Sequence, residues 1–301
     1  TALSTQTMFL RAMKPRVYSQ NVKLSANKVT KRANSYHVPS ASLRSKLKRK
    51  EIPIGHFVLE FATSGIARIV QNAGADFVVL DMEHGCFSID SLRTTLALFS
   101  GVSVTPIVRV PDTQYDFIAR VLDAGAGGVM IPRVQDAEQA RRIVQYAKYP
   151  PQGRRGVILG GAQNNFSPPK NGTKFLKEAN DDTFVICQIE SEKAVQNCEE
   201  IAKVEGVDCL WPGQMDLTAD MGILQSSSNP FNEDRFINAL KHIQKAAKTN
   251  GKYSGIFPVK ETELKQWVGL GYNMIAYSAD FFVYSQALKR NIDVARKVCT
   301  E

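Results

Sequence analysis

Acidic residues are missing from the first 50 positions of this 301-residue chain, although 12 of its 38 Lys and Arg lie there. The other 26 basic residues face all 29 Asp and Glu, so the formal net charge of +9 belongs to the leader and the body is mildly acidic. A body without a basic excess argues against nucleic acid or a membrane surface as partner. The leader also lacks the interleaved aromatics of a base-stacking platform. No apolar run approaches the roughly 20 residues needed to span a bilayer, which removes a transmembrane helix from consideration.

Cysteine is scarce too. Cys86, Cys187, Cys198, Cys209 and Cys299 are odd in number, widely spaced and without a C-x-x-C pair, which speaks against a disulfide framework or a thiolate zinc site. Cys187 and Cys209 sit in apolar runs and read as small core residues. A G-x-G-x-x-G fingerprint after the first apolar run is also absent, and with it the main support for a doubly wound open sheet.

What is present divides the chain in two. Residues 1–41, with Arg, Lys and Ser but no acid, have the composition of a mitochondrial transit peptide, the alternative being a disordered basic tail on a cytoplasmic protein. Residues 42–301 form the second part. From Pro53 it alternates short apolar runs with amphipathic ones: PIGHFVLE, DFVVLDM, TPIVRV, GGVMIPR, TFVICQIE, VDCLWPG, YSGIFP and YNMIAYSA. The intervening segments, such as YDFIARVLDAGA and AEQARRIVQYAKY, carry helical spacing. In NAGADFVVL, DAGAGGVMI, VEGVDCLW and GLGYNMIA a glycine stands where a helix ends and the next apolar run begins. Eight such units over roughly 250 residues predict a (β/α)8 TIM barrel. The longest gap, 150–181, is rich in Gly, Pro and Asn and is expected to lie over the barrel mouth.

In such a barrel the chemistry collects at the C-terminal ends of the strands. The second run ends in Asp81, Glu83 and His84, the third in Arg109, the fourth in Arg133. The fifth ends in Gln188 and Glu190; the sixth brings Trp211 and then Asp216, and Lys260 and Asp280 follow the last two. Glu190 and Asp216 are hard oxygen donors with no Cys or His cluster beside them, the chemistry of Mg²⁺ or Mn²⁺; equally, each could cap a helix. Asp81 stands close enough to orient and activate the His84 imidazole as a general base. Arg109 ends a buried run and so requires an anion, from the protein or from a substrate.

DMEH at 81–84, PIVRVP at 106–111, YPPQGRRGV at 149–157, QIES at 188–191 and GVDCLWPGQMDLTADMG at 206–222 together resemble the HpcH/HpaI family of metal-dependent pyruvate aldolases. That family includes 4-hydroxy-2-oxoheptanedioate aldolases and macrophomate synthase. The resemblance runs from about Ser42 to the end. It implies a pyruvate-type (β/α)8 barrel that often exchanges its last helix and assembles as a trimer or hexamer. It also implies cleavage of a 4-hydroxy-2-oxo acid to pyruvate and an aldehyde through a metal-bound enolate. Glu190 and Asp216 would hold the Mg²⁺ or Mn²⁺, with Co²⁺ a further candidate. His84, oriented by Asp81, would act as base, and Arg109 would steady the enolate oxygen. Gln188 would contact pyruvate, whose carboxylate would rest on N–H groups around Gly213, Gln214, Met215 and Asp216; Trp211 and Arg133 complete the substrate-binding candidates.

Departures from the family pattern are Met82, Gln214, Met215, Ile158 and Arg133. They leave the metal and base residues intact and bear on the aldehyde half of the substrate. Arg133 either binds an acidic group of the substrate or pairs with Glu138. Oxaloacetate decarboxylation or macrophomate synthase-like chemistry could use the same site, a Schiff base on Lys260 is a rival mechanism, and a non-catalytic metabolite-binding oligomer is the reading from another class.

Overall fold

The computed structural model describes residues 41–300; the leader, and the transit-peptide and tail readings attached to it, fall outside them. All eight apolar runs form strands: β1 Ile54–Val58, β2 Phe77–Asp81, β3 Thr105–Arg109, β4 Gly128–Ile131, β5 Phe184–Ile189, β6 Cys209–Pro212, β7 Tyr253–Ile256 and β8 Met274–Ala279. They pair in parallel in sequence order and close, β8 against β1. The helices are α1 Ala41–Lys48, α2 Ile66–Asn72, α3 Ile89–Leu98, α4 Tyr115–Asp123, α5 Ala137–Ala147, α6 Gly172–Asp182, α7 Glu192–Lys203, α8 Gln214–Asp220, α9 Asp234–Thr249, α10 Glu261–Gly269 and α11 Asp280–Thr300. None of them is long and apolar enough to cross a membrane.

The strands read as continuous apolar runs because both of their faces are covered. Phe77, Val79, Ile107, Met130, Phe184, Ile186, Cys209, Trp211 and Met274 fill the barrel interior. Their neighbours in sequence, including Val78, Leu80, Val108, Val129, Val185, Cys187 and Leu210, pack under the helices. Glycine makes room for the largest interior rings: a Cβ on Gly55 would lie 2.5 Å from the Phe77 ring, and one on Gly255 1.9 Å from Trp211 Cε3. Gly74, Gly125, Gly206 and Gly271, from the four repeated phrases, adopt positive φ at the helix ends as expected.

The N-terminal end of the barrel is closed by α1. Leu43 and Leu47 join the interior cluster. Arg44 donates to both oxygens of Asp208 at 2.8 and 2.9 Å, and Lys46 pairs with Asp76. These basic residues therefore fasten a plug to the acids that precede β2 and β6.

The 150–181 segment does not cover the mouth. It contains α6, which Asn171 caps by accepting from the Lys174 N–H. The segment packs against the chain just past α3 and against the last residue of α4, where Ser100 Oγ donates to Asn165 Oδ1 at 3.0 Å and Arg155 pairs with Asp123 at 2.5 Å. The cause is connectivity: it follows a helix, α5, so the chain has already returned to the N-terminal rim.

Candidate active site

Alternation along the strands decides what stands in the mouth. On β2 the inward residues run Phe77, Val79, Asp81; on β3, Ile107, Arg109; on β5, Phe184, Ile186, Gln188, with Glu190 one step beyond. Each series starts apolar in the barrel floor and ends polar at the C-terminal rim. Trp211, register partner of Gln188, supplies the floor itself and meets Phe57 edge-on, 6.3 Å between ring centres.

Asp81 and Arg109 are register partners on adjacent strands. Arg109 Nε donates to Asp81 Oδ1 at 2.9 Å and Nη2 donates to Oδ2, a two-pronged pair with both partners buried. The Arg109 guanidinium also lies over the Phe57 ring, 5.4 Å from its centre. Asp81 Oδ1 further accepts from the backbone N–H groups of Glu83 and His84, at 2.9 and 3.3 Å. Asp81 thus positions the His84 loop through its backbone and not through the imidazole, a correction to the expected Asp81–His84 pairing. The carboxylate beside the ring is Glu83, its Oε2 3.9 Å from His84 Nε2.

Glu83 is the site residue to which sequence reading gave no role. Its Oε2 lies 3.2 Å from Arg109 Nη1 and its Oε1 3.3 Å from Arg133 Nη2. Burial pushes its carboxyl upward, and the charges of Arg109, His84 and Arg133 pull it back. The expected Arg133–Glu138 pair does not form: Glu138 sits one helical turn from Arg142 and binds it at 2.5 Å, whereas Arg133 turns into the mouth. The D-x-E-H spacing was the available signal for Glu83, since a strand end places both acids near the Arg of the next strand.

Glu190 is buried, 5% exposed, and caps no helix; Ser191 performs that task for α7 by accepting from the Ala194 N–H. Glu190 Oε2 accepts from the Arg133 N–H at 2.8 Å. Burial raises its carboxyl to about 7, against the pull of that hydrogen bond and with further upward pressure from Glu83 and Asp216. Asp216 stands exposed in the first turn of α8, whose N-cap, Gly213, offers no side-chain acceptor. Gly213 packs against Glu190 so closely that a Cβ there would lie 2.1 Å from Oε1. Gln188 is buried, and its Oε1 has no hydrogen-bond partner among the described residues.

Among the described residues no three His, Cys, Asp or Glu side chains gather as a metal cage. The donors are two carboxylates, one held in low dielectric, beside an unpartnered amide oxygen. That set fits a hard divalent ion which leaves most of its positions to water and substrate. Of the other candidates, Gln214 is buried and Met215 is 55% exposed at the mouth. Lys260 is exposed at the head of α10. Asp280 serves the fold: it accepts from the N–H groups of Leu59, Glu60, Phe61 and Phe281.

Residues 54–287 match the family model for HpcH/HpaI aldolase/citrate lyase. The 5-keto-4-deoxy-D-glucarate aldolases of Klebsiella pneumoniae and Shigella boydii are 34% and 33% identical over 225 residues, covering 75% of this chain and 85% of each relative. An HpcH/HpaI aldolase structure from Desulfitobacterium hafniense superposes with a TM-score of 0.79 at 30% identity, over 84% of this chain and 96% of that one. Macrophomate synthase does so with 0.74 at 25%, over 87% and 90%. Barrel, mouth and relatives agree that the chain is a carbon–carbon lyase and belongs to the HpcH/HpaI aldolase/citrate lyase family.

Proposed function

We propose that the protein is a divalent-metal-dependent aldolase that cleaves a 4-hydroxy-2-oxo acid to pyruvate and an aldehyde. The observation that carries this reading is Glu190, a buried carboxylate that feels the charges of Glu83, Asp216 and Arg109 and packs against the bare backbone of Gly213. A Mg²⁺ or Mn²⁺ ion held by Glu190 and Asp216 would supply positive charge opposite the 2-oxo group of the substrate.

The chain's own residues then divide the chemistry. Breaking the C3–C4 bond leaves its electron pair on the pyruvate half, where charge spreads to the 2-oxo oxygen. Arg109, locked by Asp81 and Glu83, offers a guanidinium that needs no reorganisation to meet that charge. The 4-hydroxyl must lose a proton as the aldehyde forms, and C3 must gain one. His84 is the imidazole at the mouth, with Glu83 beside it to support the protonated ring. Gln188 orients the oxo acid through its amide, and the first-turn N–H groups of α8 receive the pyruvate carboxylate.

Metal-stripped protein should release no pyruvate from 4-hydroxy-2-oxo acids, and Mg²⁺ or Mn²⁺ should restore release. Glu190→Gln should lower restored turnover by at least roughly 100-fold and weaken Mn²⁺ binding in parallel. Silence of the loaded wild-type protein toward substrates of several lengths, oxaloacetate included, would sink the proposal. We also infer a homo-oligomer, trimeric or hexameric as the family resemblance implies. In support, α11 leaves Phe281, Tyr284, Leu288 and Ile292 exposed at helical spacing, and Ile54 and Tyr277 of β1 and β8 are likewise uncovered.

A further inference from the structure

The exit of β4 carries a backbone irregularity that ends on Glu190. Pro132 follows Ile131 and has no N–H, so the ladder to β5 stops at the pair Ile131 and Cys187. Arg133 then adopts φ of 55°, in the left-handed region that residues bearing a Cβ seldom enter. Val134 rejoins β5 by donating its N–H to the Gln188 carbonyl at 3.1 Å. The arch between them turns the Arg133 N–H out of the sheet and onto Glu190 Oε2 at 2.8 Å. Its surroundings enforce that conformation: Val134 is buried, Gln135 Oε1 accepts from Ser191 Oγ at 2.9 Å, and the Gln135 carbonyl accepts from Asn197 Nδ2 at 2.9 Å. A strained residue persists where its neighbours leave it no alternative, and here those neighbours belong to β5 and α7, the elements that flank Glu190. On the other side Glu190 Oε1 lies against the bare backbone of Gly213. The carboxylate is held between a donated N–H and a glycine, while the Arg133 side chain, 67% exposed, reaches away to Glu83.

We propose that Arg133 is a positioning residue that acts through its backbone: the left-handed turn at the β4 exit fixes the Glu190 carboxylate so that it is set for the divalent ion before the ion arrives. The inference rests on the reading of Glu190 as a metal ligand. It gives that task to the conformation at position 133 and not to the guanidinium. A carboxylate already fixed loses no rotamer freedom when the ion binds, and outer-shell hydrogen bonds of this kind strongly affect metal affinity.

Four substitutions separate backbone from side chain. Arg133→Gly, Arg133→Asn, Arg133→Ala and Arg133→Val all remove the guanidinium and its pairing with Glu83, but they differ in how readily the residue takes positive φ: glycine freely, asparagine tolerably, alanine poorly and valine least. Calorimetry with Mn²⁺ alone reads the affinity of each, and circular dichroism with thermal melting of the metal-free proteins reads the fold. The Gly and Asn variants should bind Mn²⁺ roughly 10- to 100-fold more tightly than the Val variant. Should Val fold poorly, the Gly variant should still exceed Ala by roughly fivefold or more. Equal Mn²⁺ affinities across the folded variants would overturn the assignment, whether all match the wild type or all are weakened alike; melting temperatures that differ without a difference in affinity would reduce position 133 to a structural role and overturn it too. A wild type that binds no Mn²⁺ would overturn this assignment together with the metal reading. The expected ranking without pyruvate release from any 4-hydroxy-2-oxo acid would uphold the assignment and overturn the aldolase reading alone.

Discussion

Glu190 shows how one side chain can couple stability, acidity and ion binding. Its carboxyl holds a proton to about pH 7 in the folded protein, whereas the ordinary value is 4.5. Between those values the folded chain binds more protons than the unfolded one, so this group's contribution to stability falls as pH rises through the window and stays low above 7. In metal-stripped protein, Glu190→Gln should therefore flatten the fall in melting temperature between about pH 4.5 and 7. Mn²⁺ should stabilise the wild type more at pH 8 than at pH 5.5, because below 7 it must displace the proton. A wild-type slope that the Gln variant shares would contradict this assignment. The ligand candidates Glu190 and Asp216 were visible in sequence as acids at neighbouring strand ends. The partner of Asp81 was not: Arg109, 28 positions away, claims it because the β2–β3 register sets the two side by side, and register is invisible until the barrel closes.

At the scale of elements, the turn from β6 into α8 brings backbone where a side chain would intrude. Gly213 has φ of −84°, which any residue adopts, so its requirement is space beside Glu190 and not conformational freedom. Gly213→Ala should keep the circular dichroism of the wild type yet weaken Mn²⁺ binding by roughly tenfold or more, because Glu190 must swing aside. Unchanged Mn²⁺ affinity would show that Glu190 has no fixed role there. All eight strands were legible because strands buried on both faces leave uninterrupted apolar runs. Helix α6 was hidden inside a Gly- and Pro-rich stretch, where Phe175 and Ala179 are among its few buried residues; Asn171, a good N-cap residue, was the one cue.

For the whole molecule, the barrel is complete as a sheet but not as a surface. Helix α11 is anchored at its root, where Asp280 gathers the β1 loop and Phe61 meets Tyr284 edge-on at 5.3 Å, and from Leu288 onward its described residues are exposed. Light scattering should report a mass three or six times that of the chain. Leu288→Asp combined with Ile292→Asp should lower it to the monomer, since burying two carboxylates in an apolar seam costs several kcal/mol. A monomeric wild type would refute the inferred assembly. The inference draws on family resemblance; sequence periodicity marks an apolar stripe without saying which chain covers it.

The indole wedged over Gly255 has one more consequence. Of the two tryptophans in the chain, Trp211 lies beneath the opening while Trp267 packs against Phe236 in the helical shell. With Trp267→Phe, emission would come from a single fluorophore at the base of the cavity, and a paramagnetic cation arriving above it could be followed without any attached dye.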